Sequence, residues 1–211
     1  MVRKTKEETL ATRNHLLDAA EAVFYKKGYA HTTLMDVAKH IGMTRGAVYW
    51  HFKNKVDLFE AMVDRVRTPI DALAEEPADE NEPDPLNKMR DFSIKLLKDV
   101  IHDEQKRRVF TILFHRFEIN GEVAELEESQ RIAFCDCTDR IERGLQNAVK
   151  KGQLPEDLDT KKAALIKHGY FAGMLNNWLF QPGCFDLDMM AECIVDNYLF
   201  MIKNSPFLRK K

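Results

Sequence analysis

The sequence predicts an all-α protein, in which a small N-terminal domain with a helix–turn–helix is followed by a larger helical bundle. Apolar residues recur at helical spacing through most of the chain, without the alternation typical of a strand. Two short helices joined by a tight turn fit residues 32–55, and the second of them is unusually aromatic. About nine helices fit the 211 residues, divided into domains at 1–53 and 54–211.

Composition limits the class of protein. An apolar content of 45% and a mean hydropathy of −0.41 are typical of a globular protein in water. No apolar run reaches the roughly 18 residues of a membrane span, and the charged N-terminus does not resemble a signal peptide. We therefore expect a cytoplasmic protein with no membrane partner.

Charge is distributed unevenly along the chain. The formal net charge is −2, yet residues 1–60 hold ten Lys or Arg against seven Asp or Glu. That segment is therefore close to +3, and the remainder is close to −5. A small basic domain in an otherwise acidic chain is the pattern expected of a nucleic-acid-binding domain.

Residues 32–48 carry the signals of a helix–turn–helix. Thr33 can cap the first helix, because its hydroxyl can accept the free N–H groups of the opening turn. Ala38 is small where a partner helix comes close, and Gly42 stands where the chain must turn. Thr44 can cap the second helix, and Val48 faces back into the core. The spacing alone is weak, but the caps, turn and aromatic run together indicate DNA binding.

The exposed face of the second helix suits a DNA major groove. Arg45 can donate two hydrogen bonds to a guanine, and Ala47 lets the backbone approach and can touch a thymine methyl. Tyr49, His51 and Lys55 suit phosphate oxygens. A basic arm before the first helix can follow phosphates or enter a minor groove. The predicted DNA contacts are Lys4, Thr33, Thr44, Arg45, Gly46, Ala47, Tyr49, Trp50, His51 and Lys55.

Several sequence segments resemble a known family. TRGAVYWHFKNK at 44–55 resembles the recognition helix and following turn of the TetR family of bacterial repressors. Further resemblance, to the AcrR and TtgR type that regulates multidrug efflux pumps, lies in VRKTKEETLATR near the N-terminus, FHRFE at 114–118, KKGQLPEDLDTKKAA at 150–164 and GYFAGMLNNWLF at 169–180. The resemblance implies a repressor whose C-terminal domain binds large apolar drugs or plant-derived aromatic compounds, and which regulates an efflux pump.

The remaining elements follow from caps and breakers. Gly28 should end the first helix, Asn54 should cap the fourth, and Pro69 should bend or break it. The acidic, proline-rich stretch at 74–85 predicts a loop. We expect helices at about 7–27, 34–41, 45–52, 54–74, 85–102, 104–118, 121–151, 159–181 and 186–204. The predicted core of the first domain is Leu16, Ala20, Phe24, Val37, Ile41, Val48, Phe52 and Leu58.

The C-terminal domain is rich in phenylalanine, which is compatible with either a filled core or an apolar ligand pocket. The resemblance favours the pocket. Few charged side chains are candidates for binding a cationic drug, apart from Glu118 and Asp139, so the charge of the ligand stays open. The predicted ligand contacts are Met62, Val66, Leu96, Phe110, Leu113, Phe114, Phe117, Gln130, Phe134, Cys137, His168 and Asn176.

The last two helices are predicted to pair two copies of the chain. Gly169 and Gly173 form a small-x-x-x-small row that allows close helix approach. A four-helix interface with two-fold symmetry would imply a pseudo-palindromic operator, with recognition helices about 34 Å apart. One dimer or two could bind it. The predicted interface residues are Gly169, Gly173, Trp178, Met189, Ile194 and Tyr198.

Alternative functions stay open at the level of sequence. The same fold could respond to a specific metabolite or a fatty acid, or could activate transcription. A helical enzyme or binding protein would instead use histidines such as His51 and His115, with a carboxylate or nucleophile held against one of them. The four cysteines show no metal-binding spacing and are expected to be free thiols in apolar surroundings. No cofactor or catalytic residue is predicted.

Overall fold

The computed structural model describes residues 6–117 and 124–210, and nine α-helices account for most of them. The predicted all-α class is confirmed. Two short 3-10 turns, Glu76–Ala78 and Pro206–Leu208, and one π-helical turn, Ile112–Arg116, complete the regular structure of the described residues. The helices are α1 (Lys6–Lys27), α2 (Leu34–His40), α3 (Arg45–His51), α4 (Lys55–Glu75), α5 (Pro85–His102), α6 (Glu104–Thr111), α7 (Ala124–Lys150), α8 (Thr160–Phe180) and α9 (Leu187–Asn204).

The chain folds into two compact units. The first falls within residues 1–67 and 108–127, and the second within 68–107 and 128–211. This division differs from the predicted boundary after residue 53. The early part of α4 belongs to the first unit because Phe59 packs edge-on against Phe24, with ring centroids 5.5 Å apart. Both α4 and α6 therefore contribute residues to both units.

The core of the first unit matches the prediction closely. Seven of the eight predicted side chains are buried, and Phe24, Val37, Val48 and Leu58 have no exposed surface. Ile41 is only half-buried, because it is the C-cap of α2 rather than part of its inner face. Burial of this apolar stripe holds α1, α2 and α3 together.

Four rings form an aromatic cluster at one edge of this core, consisting of Phe24, Tyr29, Phe59 and Phe117. Tyr29 lies 4.9 Å from Phe59 and 5.3 Å from Phe117, measured between ring centroids. The backbone N–H of Tyr29 donates to the carbonyl oxygen of Arg116 at 2.9 Å. The π-helical turn is thus attached to the corner between α1 and α2.

The helix ends agree with the turn and capping signals in the sequence. Gly28 and Gly42 have φ values of +81° and +66°, where a side chain would be strained. The side chain of Asn54 accepts from the backbone N–H of Asp57 at 2.8 Å and caps α4. Pro69 lies inside α4 and does not break it, since the helix continues to Glu75.

The second unit is built from α5, α7, α8 and α9, with the end of α4 and the start of α6. α9 packs against α5, and Arg90 and Asp196 form an ion pair between them at 2.6 Å. α9 also packs against α8, where the hydroxyl of Tyr198 donates to the carbonyl oxygen of Ala163 at 3.1 Å. Several side chains of α9 therefore face into the bundle.

The predicted acidic loop at 74–85 contains a 3-10 turn and is held by α7. The side-chain amide of Asn147 donates to the carbonyl oxygens of Pro77 and Asp79 at 3.0 and 2.7 Å. An added Cβ at Gly144 would lie 3.1 Å from Pro77, so a small residue allows this close approach. The loop is a fixed part of the second unit.

Candidate nucleic-acid interface

α2 is fixed by a reciprocal cap at its N-terminus. The hydroxyl of Thr33 accepts from the backbone N–H of Asp36 at 3.2 Å, and the Asp36 carboxylate accepts from the backbone N–H of Thr33 at 2.9 Å. Lys27 donates to the same carboxylate at 2.7 Å. The Lys27 ammonium and the Thr33 donors hold the pKa of Asp36 well below its usual range. Thr33 therefore acts first as a cap.

α3 is oriented by one buried side chain and one cap. Val48 is fully buried, and the hydroxyl of Thr44 accepts from the backbone N–H of Ala47 at 3.3 Å. Gly46 is exposed, and an added Cβ there would meet only the Thr44 hydroxyl, at 4.0 Å. The packing of the chain does not require a glycine here, whereas the close approach of another backbone would.

The outer face of α3 presents a pre-arranged group of polar and aromatic side chains. The guanidinium of Arg45 lies 5.0 Å from the ring centroid of Tyr49 and donates to its hydroxyl at 3.1 Å. Trp50 is 68% exposed and packs edge-on against His51, with ring centroids 4.6 Å apart. Exposed tryptophan, tyrosine and arginine side chains on one short helix suit a surface that contacts another molecule.

Lys55 forms a contact with Tyr29 that the sequence did not predict. Its ammonium donates to the carbonyl oxygen of Tyr29 at 3.1 Å and lies 4.2 Å from the centroid of the Tyr29 ring. The ammonium is thus engaged within the first unit, and the contact of Lys55 with a phosphate stays a prediction. Lys53, two residues earlier, is exposed. Lys4 lies outside the described residues.

An ion-pair cluster that joins α1, α4 and α6 in the first unit could not be predicted from the sequence. Glu21 on α1 is 5% exposed and lies 3.3 Å from Arg65 on α4 and 3.7 Å from Arg108 on α6. Asp18, one turn earlier on α1, pairs with Arg65 at 2.7 Å. No local pattern marks Glu21, because it occupies an apolar-facing position in a helix whose charged residues are mostly exposed.

Three of the predicted ligand contacts are placed differently by the structure. Met62 has no exposed surface and Val66 only 5%, so Met62 faces no space that water could enter, and its predicted role is corrected. Phe117 belongs to the aromatic cluster, with its ring 5.3 Å from both Tyr29 and Phe59. Its role is therefore structural within the first unit.

The other predicted ligand contacts keep some exposed surface. In the first unit, Phe110 and Phe114 stack with ring centroids 6.3 Å apart. In the second unit, Phe134 packs edge-on against His168 at 4.8 Å and stays 43% exposed. The side chains of Leu96, Leu113, Gln130, Cys137, His168 and Asn176 are half-buried.

Lys167 is a buried charged residue that the sequence analysis did not select. It is 7% exposed, on α8 of the second unit. Burial lowers the pKa of its ammonium to about 8. Burial also raises the pKa of the Cys137 thiol, and burial together with the neighbouring Lys167 lowers the pKa of His168. The available signal in the sequence was its position, because Lys167 directly precedes the predicted ligand contact His168.

The predicted dimer residues divide into two groups. Gly169, Gly173 and Met189 are exposed, with Met189 at 82%. The side chains of Ile194 and Tyr198 are only 2% and 1% exposed, and Trp178 is 9% exposed. Those three side chains are core residues and cannot form a free face, because they point into the bundle. The exposed apolar residues of the same region are Phe180, Met189, Phe200 and Phe207.

All four cysteines are free thiols. Cys135, Cys184 and Cys193 are exposed, so the expectation of apolar surroundings is wrong for these three. Within residues 6–117 and 124–210, no group of His, Cys, Asp or Glu side chains is arranged to hold a metal ion. The helices of those residues include none that is long and apolar enough to cross a membrane.

Two family models match the chain, and together they cover both units. The model for bacterial regulatory proteins of the TetR family matches residues 16–62. The model for the C-terminal region of MAATS-type transcriptional repressors matches residues 84–204. The first match contains the whole of α2, α3 and the turn between them.

Similar proteins extend the match to the full chain. The regulator TtgR of Pseudomonas putida is 41% identical over 210 residues, and the alignment covers 100% of this chain and 100% of TtgR. The regulator AcrR of Shigella flexneri is 40% identical, with 99% of this chain and 97% of AcrR covered. The structure of the SmeT–triclosan complex, SmeT being a repressor from Stenotrophomonas maltophilia, superposes with a TM-score of 0.85 at 35% identity and 93% coverage of each chain.

The capped helix–turn–helix, its exposed Arg45, Tyr49 and Trp50, and the larger helical unit that follows define a DNA-binding transcriptional regulator. The chain belongs to the TetR family, as both family models and the full-length relatives show.

Proposed function

We propose that this protein is a repressor that binds a pseudo-palindromic operator as a homodimer and releases it when a hydrophobic aromatic compound binds. The observation that carries the DNA-binding part is the outer face of α3. There, Arg45 is held over Tyr49 while Trp50 and Gly46 stay exposed. A guanidinium fixed in this way can donate two hydrogen bonds to a guanine with little further loss of side-chain freedom.

The exposed face of α8 and α9 supports the homodimer. Gly169, Gly173 and Phe180 recur at helical spacing on α8, and Met189 and Phe200 on α9. Added Cβ atoms at Gly169 and Gly173 would meet nothing within 4 Å in the chain itself. Glycine inside a helix is destabilising by roughly 0.5–1 kcal/mol relative to alanine. A second copy that packs closely against these positions would explain both glycines.

The relatives support the class of regulated gene. The SmeT structure is described as the repressor of a multidrug efflux pump, and a second structure of SmeT contains triclosan. Because this chain is similar to SmeT over almost its full length, we propose that it also regulates an efflux pump and responds to apolar aromatic compounds. An exposed ring such as Phe134, which packs edge-on against His168 in the second unit, is a suitable wall for such a ligand.

Release of DNA requires that the ligand prefer one conformer over another. We propose that this preference is transmitted through α4 or α6, because each of these helices contributes residues to both units. A differential affinity of about 3 kcal/mol for the two conformers weakens DNA binding about a hundredfold. A ligand that binds both conformers equally would release nothing.

Fluorescence anisotropy with labelled DNA from upstream of the protein's own gene tests the proposal. Salt concentration is held fixed, because affinity for DNA depends steeply on it. We expect tight binding that triclosan and several unrelated hydrophobic antibiotics or flavonoids weaken by about tenfold or more. Calorimetric binding of such a compound without any change in operator affinity would contradict the coupling between ligand and DNA.

A second function within the same fold is a repressor that responds to one specific metabolite or fatty acid. Its signature in this experiment is tight operator binding that none of the drugs releases. An activator would be distinguished by the position of the operator relative to the promoter. An enzyme is disfavoured, since the relatives that cover the whole chain are transcriptional regulators.

A further inference from the structure

Lys167 is a buried cation without an anionic partner. The side chain sits in the middle of α8 with 7% of its surface exposed. Within the part of the chain that the structure describes, its ammonium forms neither an ion pair nor a hydrogen bond. Its nearest described partner is the ring of Phe171, whose centroid lies 5.3 Å away. Buried charged side chains are normally paired with an opposite charge, because an isolated buried charge is strongly destabilising.

A neighbouring cation in the same unit shows the contrast. Arg140 on α7 is also largely withdrawn from water, with 15% of its side chain exposed. It is fully compensated, since it pairs with Asp71 at 2.6 Å and with Glu75 at 2.9 Å. The fold therefore neutralises one buried cation of the second unit and leaves the other uncompensated.

The surroundings of Lys167 are those of an aromatic binding site rather than of a salt bridge. Phe171 lies one turn further along α8. The next residue, His168, packs edge-on against Phe134 of α7, whose ring is 43% exposed. Cys137, one turn along α7 from Phe134, is close enough for its thiol to interact electrostatically with Lys167. Aromatic rings, a thiol and the Lys167 ammonium therefore lie close together on α7 and α8, and the paired charges of Arg140 and Asp71 also act on the Cys137 thiol.

We propose that Lys167 is the charge-recognition residue of the inducer site and that it selects organic anions, namely aromatic compounds that carry a phenolate or carboxylate oxygen. The ammonium would donate to the anionic oxygen, and Phe171 and Phe134 would contact the aromatic body. Such a pair is charge-assisted and forms away from bulk water, where it is stronger than at a surface. The inference rests on the proposed function, because it assigns a ligand class to the inducer site.

The chemistry of the lysine suits this role at neutral pH. Its pKa of about 8 leaves the ammonium protonated below that pH, so it can bind an anion directly. An anionic oxygen would raise this pKa again, since a nearby opposite charge favours the protonated form. The same charge would repel cationic dyes and drugs. Ligand charge, rather than size alone, would then determine which compounds act as inducers.

Matched pairs of ligands test the proposal. Pentachlorophenol is an anion at neutral pH, and pentachloroanisole is its neutral methyl ether; naphthalene-2-carboxylate and its methyl ester form a second pair. Calorimetry with the full-length protein measures affinity. We expect wild type to bind at least one of the two anions. Lys167→Met should lower the affinity for that anion by about tenfold or more, which corresponds to the loss of a charge-assisted hydrogen bond. Affinity for the neutral partner should stay within about twofold.

The pairs also separate the two sources of the anionic oxygen, because a phenolate site and a carboxylate site would favour different pairs. Lys161→Met is the control variant, since Lys161 is an exposed lysine on the first turn of the same helix. It should change neither affinity. Lys167→Arg, which keeps the charge, should retain part of the preference for the anion. Ethidium, a cation, should bind Lys167→Met at least as well as wild type.

Two outcomes with Lys167→Met would overturn the proposal. In one, Lys167→Met binds the anion as tightly as wild type does. In the other, the substitution lowers the affinity for the anion and for its neutral partner equally. Failure of wild type to bind any of the anions would also overturn it. Operator binding by the same preparations, and its release by neutral drugs, decides separately on the proposed function. Thermal unfolding confirms folding, and we expect Lys167→Met to be more stable than wild type without ligand.

Discussion

Lys53 and Lys55 are two residues apart, yet their surroundings differ. Lys55 is bound to Tyr29 inside the first unit, whereas Lys53 is exposed at the end of the recognition helix. We predict that Lys53→Met lowers affinity for all DNA sequences alike and reduces the slope of log affinity against log salt by about 1, with no change in stability. Lys55→Met should instead destabilise the unit by about 1 kcal/mol or more. Anisotropy and urea unfolding measure the two effects.

These two substitutions serve as controls for each other, because both remove one positive charge from the same three-residue segment. If Lys55→Met left stability unchanged and reduced the salt slope as Lys53→Met does, the contact with Tyr29 would have no energetic role. Lys55 would then act mainly as a phosphate contact, as Lys53 is predicted to do.

The Thr33–Asp36 cap predicts a dependence of stability on pH. The folded-state pKa of Asp36 lies below the value of about 3.9 expected in the unfolded chain. The ionised carboxylate therefore stabilises the first unit fully above that pH, and the contribution is lost as pH falls toward the lower folded pKa. We expect Asp36→Asn to be less stable at pH 7, and its difference from wild type to shrink as pH falls below 4.

Trp50 fluorescence in a Trp178→Phe background reports on the first unit during urea unfolding. The exposed Glu7→Gln is a suitable control, since it removes a carboxylate of the same unit that takes no part in the cap. A difference between wild type and Asp36→Asn that is the same at pH 7 and pH 3 would show that the ionised carboxylate is not what stabilises α2.

At the level of helices, Glu21 joins three elements of the first unit. It is buried on α1 between Arg65 of α4 and Arg108 of α6. Removing the charge leaves two arginines without their shared partner, and breaking a buried pair is destabilising by about 3–5 kcal/mol. We predict that Glu21→Gln lowers the free energy of unfolding by up to about 3–5 kcal/mol and weakens DNA binding. Asp18→Asn breaks a pair with the same Arg65 at an exposed position, and should change stability by 1 kcal/mol at most.

Chemical unfolding of the two variants side by side measures this difference. Equal and small effects of Glu21→Gln and Asp18→Asn would mean that water screens both pairs alike. The position of α1 relative to α4 would then depend on apolar packing, chiefly the contact between Phe24 and Phe59.

The helices could be predicted because their signals are local. Caps such as Thr33 and Asn54 and breakers such as Gly28 and Gly42 act within a few residues of their position. The recognition face of α3 follows for the same reason, since Val48 alone fixes which side is buried.

Long-range placement was harder to predict from sequence. Lys55 is engaged by Tyr29, 26 residues away, and Lys167 is buried although lysine is normally exposed. Periodicity gave α9 an apolar character but did not say which apolar side chains face the bundle. Ile194 and Tyr198 pack inward, and Phe200 is 68% exposed.

At the level of the whole molecule, the exposed apolar residues of α8 and α9 predict self-association. Phe180, Met189 and Phe200 are between 68% and 82% exposed, which is unusual for large apolar side chains. We predict that Phe200→Glu converts the dimer to a monomer in sedimentation velocity and weakens operator binding by more than tenfold, because two half-sites are no longer bound together.

Leu10→Glu is the matched control, since Leu10 is an apolar residue of α1 that is 58% exposed outside this face. It should leave the sedimentation coefficient unchanged. A dimer that survives Phe200→Glu would place the interface elsewhere and would leave the open space at Gly169 and Gly173 without an explanation.

The central claim is that the outer face of α3 reads DNA, and one measurement tests it most directly. Anisotropy at a fixed salt concentration compares wild type, Arg45→Ala and Arg45→Lys on operator DNA and on scrambled DNA of the same length. We predict that Arg45→Ala loses about 1–3 kcal/mol of binding free energy on the operator but much less on scrambled DNA. Arg45→Lys should restore only part of the lost operator affinity. If wild type bound both DNAs equally, or if Arg45→Ala bound the operator as tightly as wild type, α3 would not be the element that reads the sequence.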